Sequence, residues 1–190
     1  MLQHAFKEWA VICEALAQGM QSLILRKGGI DEPGGEFGVN QTRFWLYPTF
    51  SHQQVDGIND EARPLLRQVE AKRPLAGKVR LELWAELTGI YRIREELPAL
   101  LLSHLHCWSE ETVRKRFNYR MPGLHLLVVR VHRAPQAHEI AELPVYEGCR
   151  SWVDLETPLP TEGSTPVLDD ESFRIVQKQL DLLLSPTAFA

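Results

Sequence analysis

The stretch LILRKGGIDEPGGEF, residues 23 to 37, sets two cations, Arg26 and Lys27, before four glycines and a proline. Such a loop offers two chemistries. It can cradle an anion on backbone N–H groups, or form a glycine-lined rim that lets the backbone approach a ligand closely. A phosphate cradle requires GxxxxGK, then Ser or Thr, then a helix; here Lys27 precedes Gly28 and the next element reads as a strand. GxGxxG is absent as well. The rim reading leaves Arg26 and Lys27 as phosphate contacts, with Gly28, Gly29 and Phe37 along the loop. On the following strand Trp45 and Tyr47, two residues apart, share a face. Arg43 and Thr49 flank them, and His52 and Gln53 follow in the turn. Aromatic faces beside cations suit base stacking, and an amide such as Gln53 can pair with a base edge.

Other constellations point elsewhere. VEAK, 69 to 72, matches the Glu-x-Lys half of a metal-dependent nuclease site, with Asp56 and Asp60 upstream. Glu70 lies in a polar, helical stretch, however, rather than on an apolar strand. SHLHC, 103 to 107, joins two histidines and a cysteine, but on a helix end His104 and His106 diverge. GxSxG is absent, so no catalytic residue is assigned and no metal or cofactor is expected. Three cysteines, Cys13, Cys107 and Cys149, form no CxxC pair and indicate neither a disulfide framework nor a thiolate zinc site.

These residues need elements to hold them. Leu2, Phe6, Trp9, Cys13 and Leu16 recur at three- and four-residue spacing and predict a helix over 2 to 18, stopped by Gly19. Strands follow at 22 to 27 and 43 to 50, then a short helix at 61 to 70. KVRLELWAELTGIYRI, 78 to 93, alternates Val79, Leu81, Leu83, Ala85 and Leu87 against a wetter face that carries Trp84. Gly89 marks a bend or bulge there. Helices are predicted at 96 to 106 and at 110 to 118 with Ser109 as cap, strands at 123 to 133 and 151 to 155, and a last helix at 170 to 184 capped by Asp169. Strands and helices do not alternate strictly, so the class is α+β with a curled mixed or antiparallel sheet rather than a doubly wound parallel one. One domain over 1–156 is expected, with 157–190 as a linker and C-terminal helix docked on it.

The net charge of −4 is unevenly spread. Residues 139 to 171 hold nine acidic side chains against Arg150 alone, a net of −8 that leaves +4 for the rest. Within the rest, Arg63, Arg67, Lys72, Arg73, Lys78 and Arg80 cluster, as do Arg114, Lys115, Arg116 and Arg120. A basic face is therefore compatible with an acidic chain. The N-terminus lacks the charged leader and apolar run of a signal peptide, and no stretch approaches the roughly 20 apolar residues needed to cross a bilayer. A cytoplasmic protein without a membrane partner is expected.

Two resemblances add to this reading. KEWAVICEALAQGMQSLILRKGGI, 7 to 30, with RFWLYPTFSHQ, 43 to 53, resembles the bacterial family filed as domain of unknown function 1802, over roughly 5 to 155. That resemblance implies a setting near restriction and modification of DNA, with a partner protein from a restriction system. The layout is also similar to the PUA-like superfamily, in its ASCH and EVE branches: an opening helix carrying a Trp (Trp9), then Gly19, then a strand ending in Arg26. This implies a curled β-barrel flanked by helices that binds RNA or modified DNA bases. Where ASCH-type chains often show Lys and Glu before the arginine, this chain has Ser22 and Ile24, so no catalytic residue carries over. The expected function is a nucleic-acid-binding module. The alternatives are a metal-dependent nuclease or hydrolase using Glu70 and Lys72 or His52, and a protein-interaction subunit working through the acidic segment.

Overall fold

A computed structural model describes residues 1–27, 41–51, 53–148 and 150–184. The strands are β1 Leu2–Trp9, β2 Leu23–Arg26, β3 Arg43–Thr49, β4 Lys78–Ile93, β5 Leu124–Ala141, β6 Trp152–Leu159 and β7 Thr165–Pro166. The helices are α1 Ala10–Ala17, α2 Arg63–Ala71, α3 Glu96–Leu101, α4 Glu110–Asn118 and α5 Asp170–Leu184. The strands form a mixed sheet in the order β2-β5-β4-β3-β1-β6, with β7 beside β5. β1 and β3 run parallel, and every other pair of these strands is antiparallel. The chain is thus α+β, with a sheet that curls but is not closed by its hydrogen-bonded ladder.

The N-terminal segment departs from the expected helix. Residues 2–9 are a strand, and only Ala10–Ala17 is helical. β1 lies between β3 and β6, so both of its edges are hydrogen-bonded and both of its faces are covered. Phe6 enters the main core while Ala5 enters a second core on the opposite face. A strand buried on both faces lacks polar alternation, and its large residues then mimic helical spacing.

β4 carries the other departure. Its register against β5 shifts between Leu81 and Leu83. Leu81 and Val79 face the second core, whereas Leu83 and Ala85 face the first. The bulge exchanges the faces midway, so Trp84 is buried with the second core rather than wet. There its ring stacks on His132, with centroids 4.1 Å apart, and its Nε1 donates to Ser164 Oγ at 2.9 Å. A second register shift falls between Leu87 and Gly89, at the bend that Gly89 marks in the sequence.

Local signals explain the helix ends. Ser109 Oγ accepts from the Thr112 N–H at the start of α4 and donates to the Asp56 carbonyl at 2.8 Å. Asp169 accepts from the Ser172 N–H at the start of α5, whose Phe173 and Leu180 are buried in the main core. β7 and α5 thereby fasten the segment after residue 156 to the sheet. Gly19 follows α1 at φ +69°, and a Cβ there would stand 2.6 Å from Leu168, so both backbone angle and space call for glycine. No helix among the described residues is long and apolar enough to cross a membrane.

Candidate functional site

The parallel strands β1 and β3 end side by side, at Trp9 and Thr49. Around these ends lies a cavity of about 720 Å³, within the range of small-ligand sites. The start of α1, the end of α2 with residues 74–77, the first residues of β4 and the segment around Tyr146 complete its wall. Among the described residues seven cations line it, namely Lys7, Arg26, Lys72, Arg73, Lys78, Arg80 and Arg150, against five carboxylates, Glu8, Glu14, Glu82, Glu142 and Glu147. The described lining is therefore net positive in a chain that is net negative.

Strand alternation divides these groups. Glu8 shares the face of Phe6, whereas Lys7 and its register partner Tyr47 project to the other face. The cavity draws on both faces and so wraps around the strand ends. On the Glu8 side, Arg26 Nη2 donates to the Lys7 carbonyl, its guanidinium carbon lies 4.4 Å from the centroid of the Phe6 ring, and Nη2 stands 3.8 Å from Glu8 Oε2. Thr49 Oγ1 donates to the Glu8 carbonyl at 3.1 Å. Burial, then the Glu8 carboxylate, holds the Cys13 thiol far above its ordinary range. On the other side Lys7 Nζ donates to the carbonyls of Tyr146 (2.7 Å) and Gly148 (2.9 Å). Burial, with Glu142 second, pushes the Tyr47 phenol up.

Three buried polar atoms of residues that line this cavity have no hydrogen-bond partner among the described residues: Glu8 Oε2, Arg26 Nε and the Tyr47 hydroxyl. Glu8 and Tyr47 are each 2% exposed. At the rim, Lys72 pairs with Glu14 at 2.9 Å, and Arg73 pairs with Glu70 and covers the Phe50 ring at 4.6 Å. Lys78 pairs with Glu139 and Arg80 with Glu82. Arg150 is exposed.

The residues singled out from sequence take several places. Arg26, Tyr47 and Thr49 line the cavity. Lys27 Nζ instead donates to the carbonyls of Phe117, Met121 and Gly123, fixing the end of α4. Trp45 is fully buried, its Nε1 donating to the Leu2 carbonyl and its ring edge-on to His138. Arg43 lies over Trp84 at 4.6 Å, outside the cavity lining. Gln53 Oε1 accepts from the Val11 N–H at 2.9 Å and caps α1. Gly28, Gly29, Phe37, His52 and Cys149 lie outside the described residues. Sequence reasoning missed Lys7, Glu8 and Tyr146; a Lys-Glu pair inside the apolar run AFKEWAVI was the available signal.

The remaining constellations disperse. Glu70 pairs with Arg73 and Lys72 with Glu14, so the VEAK pair does not converge. His104 is exposed, whereas His106 is buried and accepts from the Trp108 N–H. Among the described residues no three His, Cys, Asp or Glu side chains gather as metal ligands. In the 114–120 basic cluster, Arg114 and Lys115 are paired with Glu96, Glu110 and Glu111. Arg116 turns inward over the Trp108 ring at 3.6 Å.

The profile of the family described as "Domain of unknown function (DUF1802)" matches residues 5–179. No curated protein matches the chain. Among solved structures it is similar to ASCH from Zymomonas mobilis, at 13% identity over 92% of this chain and 93% of that one, with a TM-score of 0.48. It is similar to a serine-to-alanine mutant of the same Zymomonas mobilis protein at 13% identity over 93% and 94%, TM-score 0.48. A tyrosine-to-phenylalanine mutant of that protein matches at 13% identity over 94% and 98%, TM-score 0.46.

Proposed function

We propose that this chain, which belongs to the DUF1802 family, is a nucleic-acid-binding module that takes a nucleotide of RNA or modified DNA into the cavity at the ends of β1 and β3. One observation carries the reading. A cavity large enough for a nucleotide combines a net cationic lining with buried polar atoms that have no partner among the described residues. Buried polar groups are ordinarily satisfied, and those left over at a concave site are the groups that give a ligand its orientation. The exposed cations Lys78, Arg80 and Arg150 are placed to meet phosphates, while Arg26, Tyr47 and Thr49 face the nucleotide. Lys27, Trp45 and Gln53 support the site by holding α4, the second core and α1. The setting that the family resemblance implies lies beside restriction and modification of DNA, and the cysteine usage of the sequence suits a reducing cytoplasm.

Fluorescence anisotropy with short RNA, single-stranded DNA and duplex DNA, with and without modified bases, at two salt concentrations tests the reading. Salt-sensitive binding is expected, and Arg150→Ala and Lys78→Ala should each lower the salt slope by about one. Absence of binding to every probe at low salt would remove nucleic acid as the ligand.

A further inference from the structure

We infer that the Glu8 side of the cavity reads the Watson–Crick edge of an unpaired base, through Glu8 Oε2 as acceptor and Arg26 Nε as donor. This rests on the nucleic-acid reading above and names the form of the ligand: a single-stranded or flipped-out nucleotide, not a paired one.

The two atoms belong to neighbouring side chains, Arg26 Nη2 lying 3.8 Å from Glu8 Oε2, and neither has a hydrogen-bond partner among the described residues. Glu8 Oε1 accepts from the Trp9 N–H at 2.8 Å, which orients the carboxylate and leaves Oε2 without a hydrogen bond among the described residues. Arg26 is held through Nη2 on the Lys7 carbonyl and by its stack on Phe6, which leaves Nε without a hydrogen bond among the described residues. At 3.8 Å, Nη2 and Oε2 attract as charges but are too far apart for a hydrogen bond. One ion pair therefore holds a buried acceptor and a buried donor, each costly to leave unmade.

The chemistry of the pair selects its ligand. A phosphate brings only acceptors, and Glu8 would repel it. A planar group with a donor next to an acceptor satisfies both atoms at once, and every nucleobase presents that pattern on its Watson–Crick edge. Leu46, Leu83 and Cys13 line the same face and supply apolar surface for the flat sides of a ring. The cations at the rim meet the sugar-phosphate chain outside. In a duplex the Watson–Crick edge is already occupied, so the base must first leave its partner.

The test uses the full chain and three labelled probes of one sequence: a single strand, its perfect duplex, and that duplex with one bulged nucleotide. The single strand and the bulged duplex should bind at least tenfold tighter than the perfect duplex. An abasic single strand should bind about tenfold more weakly than the base-bearing strand, as expected for lost hydrogen bonds at buried partners, with the same salt slope. Glu8→Gln, checked for folding by circular dichroism, should narrow the gap in affinity between the base-bearing and the abasic strand. The abasic comparison needs no variant and so decides the matter even if Glu8→Gln fails to fold. Equal affinity for duplex and single strand, or for abasic and base-bearing strands, would overturn the inference while leaving nucleic-acid binding intact. Failure to bind any probe would overturn both.

Discussion

Arg26 Nη2 donates to the main-chain carbonyl of Lys7, and this contact joins β2, one end of the strand order, to β1 on the far side of β5, β4 and β3. The ladder does not close the sheet, so a side chain spans the seam. That side chain is mostly buried, at 21% exposure, and its ionic neighbour Glu8 is at 1%. Arg26→Ala should therefore cost about 3 kcal/mol, because the buried Glu8 carboxylate loses its ion-pair partner. Urea denaturation measures this. Adding Glu8→Gln to Arg26→Ala should recover part of the loss; a double variant no more stable than the single one would show that the pair is not coupled.

Stability should fall as the medium is acidified, through His106. Burial first, then the Arg116 guanidinium, lowers its pKa from 6.5 to about 4. Between those two values the unfolded chain binds a proton that the folded chain refuses, so stability is full above pH 6.5 and declines toward pH 4. The loss should reach about 3 kcal/mol. His106→Asn keeps an acceptor for the Trp108 N–H and should flatten this part of the pH profile. An unchanged profile in that variant would assign the decline to another group.

Ser109→Ala should cost about 1 kcal/mol, as expected for a lost N-cap. The same hydroxyl ties the Asp56 carbonyl to α4, so proteolysis near residues 55–57 should also quicken. A urea midpoint equal to that of the wild type would contradict the cap.

Leu180→Ala should cost about 3 kcal/mol, since Leu180 is buried in the main core. A loss below about 1 kcal/mol, the range of surface substitutions, would mean that α5 is an accessory rather than part of the fold.

The sequence showed α5 most clearly, because Asp169, the stripe of Phe173, Val176, Leu180 and Leu184, and the termini at 170 and 184 all act locally. It concealed β1, because a strand covered on both faces spaces Leu2, Phe6 and Trp9 as a helix would. It concealed the burial of Trp84, because the register shift between Leu81 and Leu83 exchanges faces with no glycine or proline at that point of β4; the mark, Pro135, lies opposite on β5, between Arg133 and His138. The candidate site was half legible. Arg26, Tyr47 and Thr49 were found from charge and alternation. Glu8 and Lys7 acquire their meaning only when β3 is laid beside them. The roles of Lys27 and Gln53 depend on main-chain atoms at Phe117 and Val11, which no side-chain pattern encodes.

The most direct test of the central claim is an NMR titration of the ¹⁵N-labelled protein with a short single-stranded oligonucleotide at low salt. Shift changes are predicted to gather on residues 7–10, 47–51 and 72–80, around the ends of β1 and β3. Saturating changes confined to α3 and α5, or no changes at all, would contradict nucleic-acid binding in this cavity.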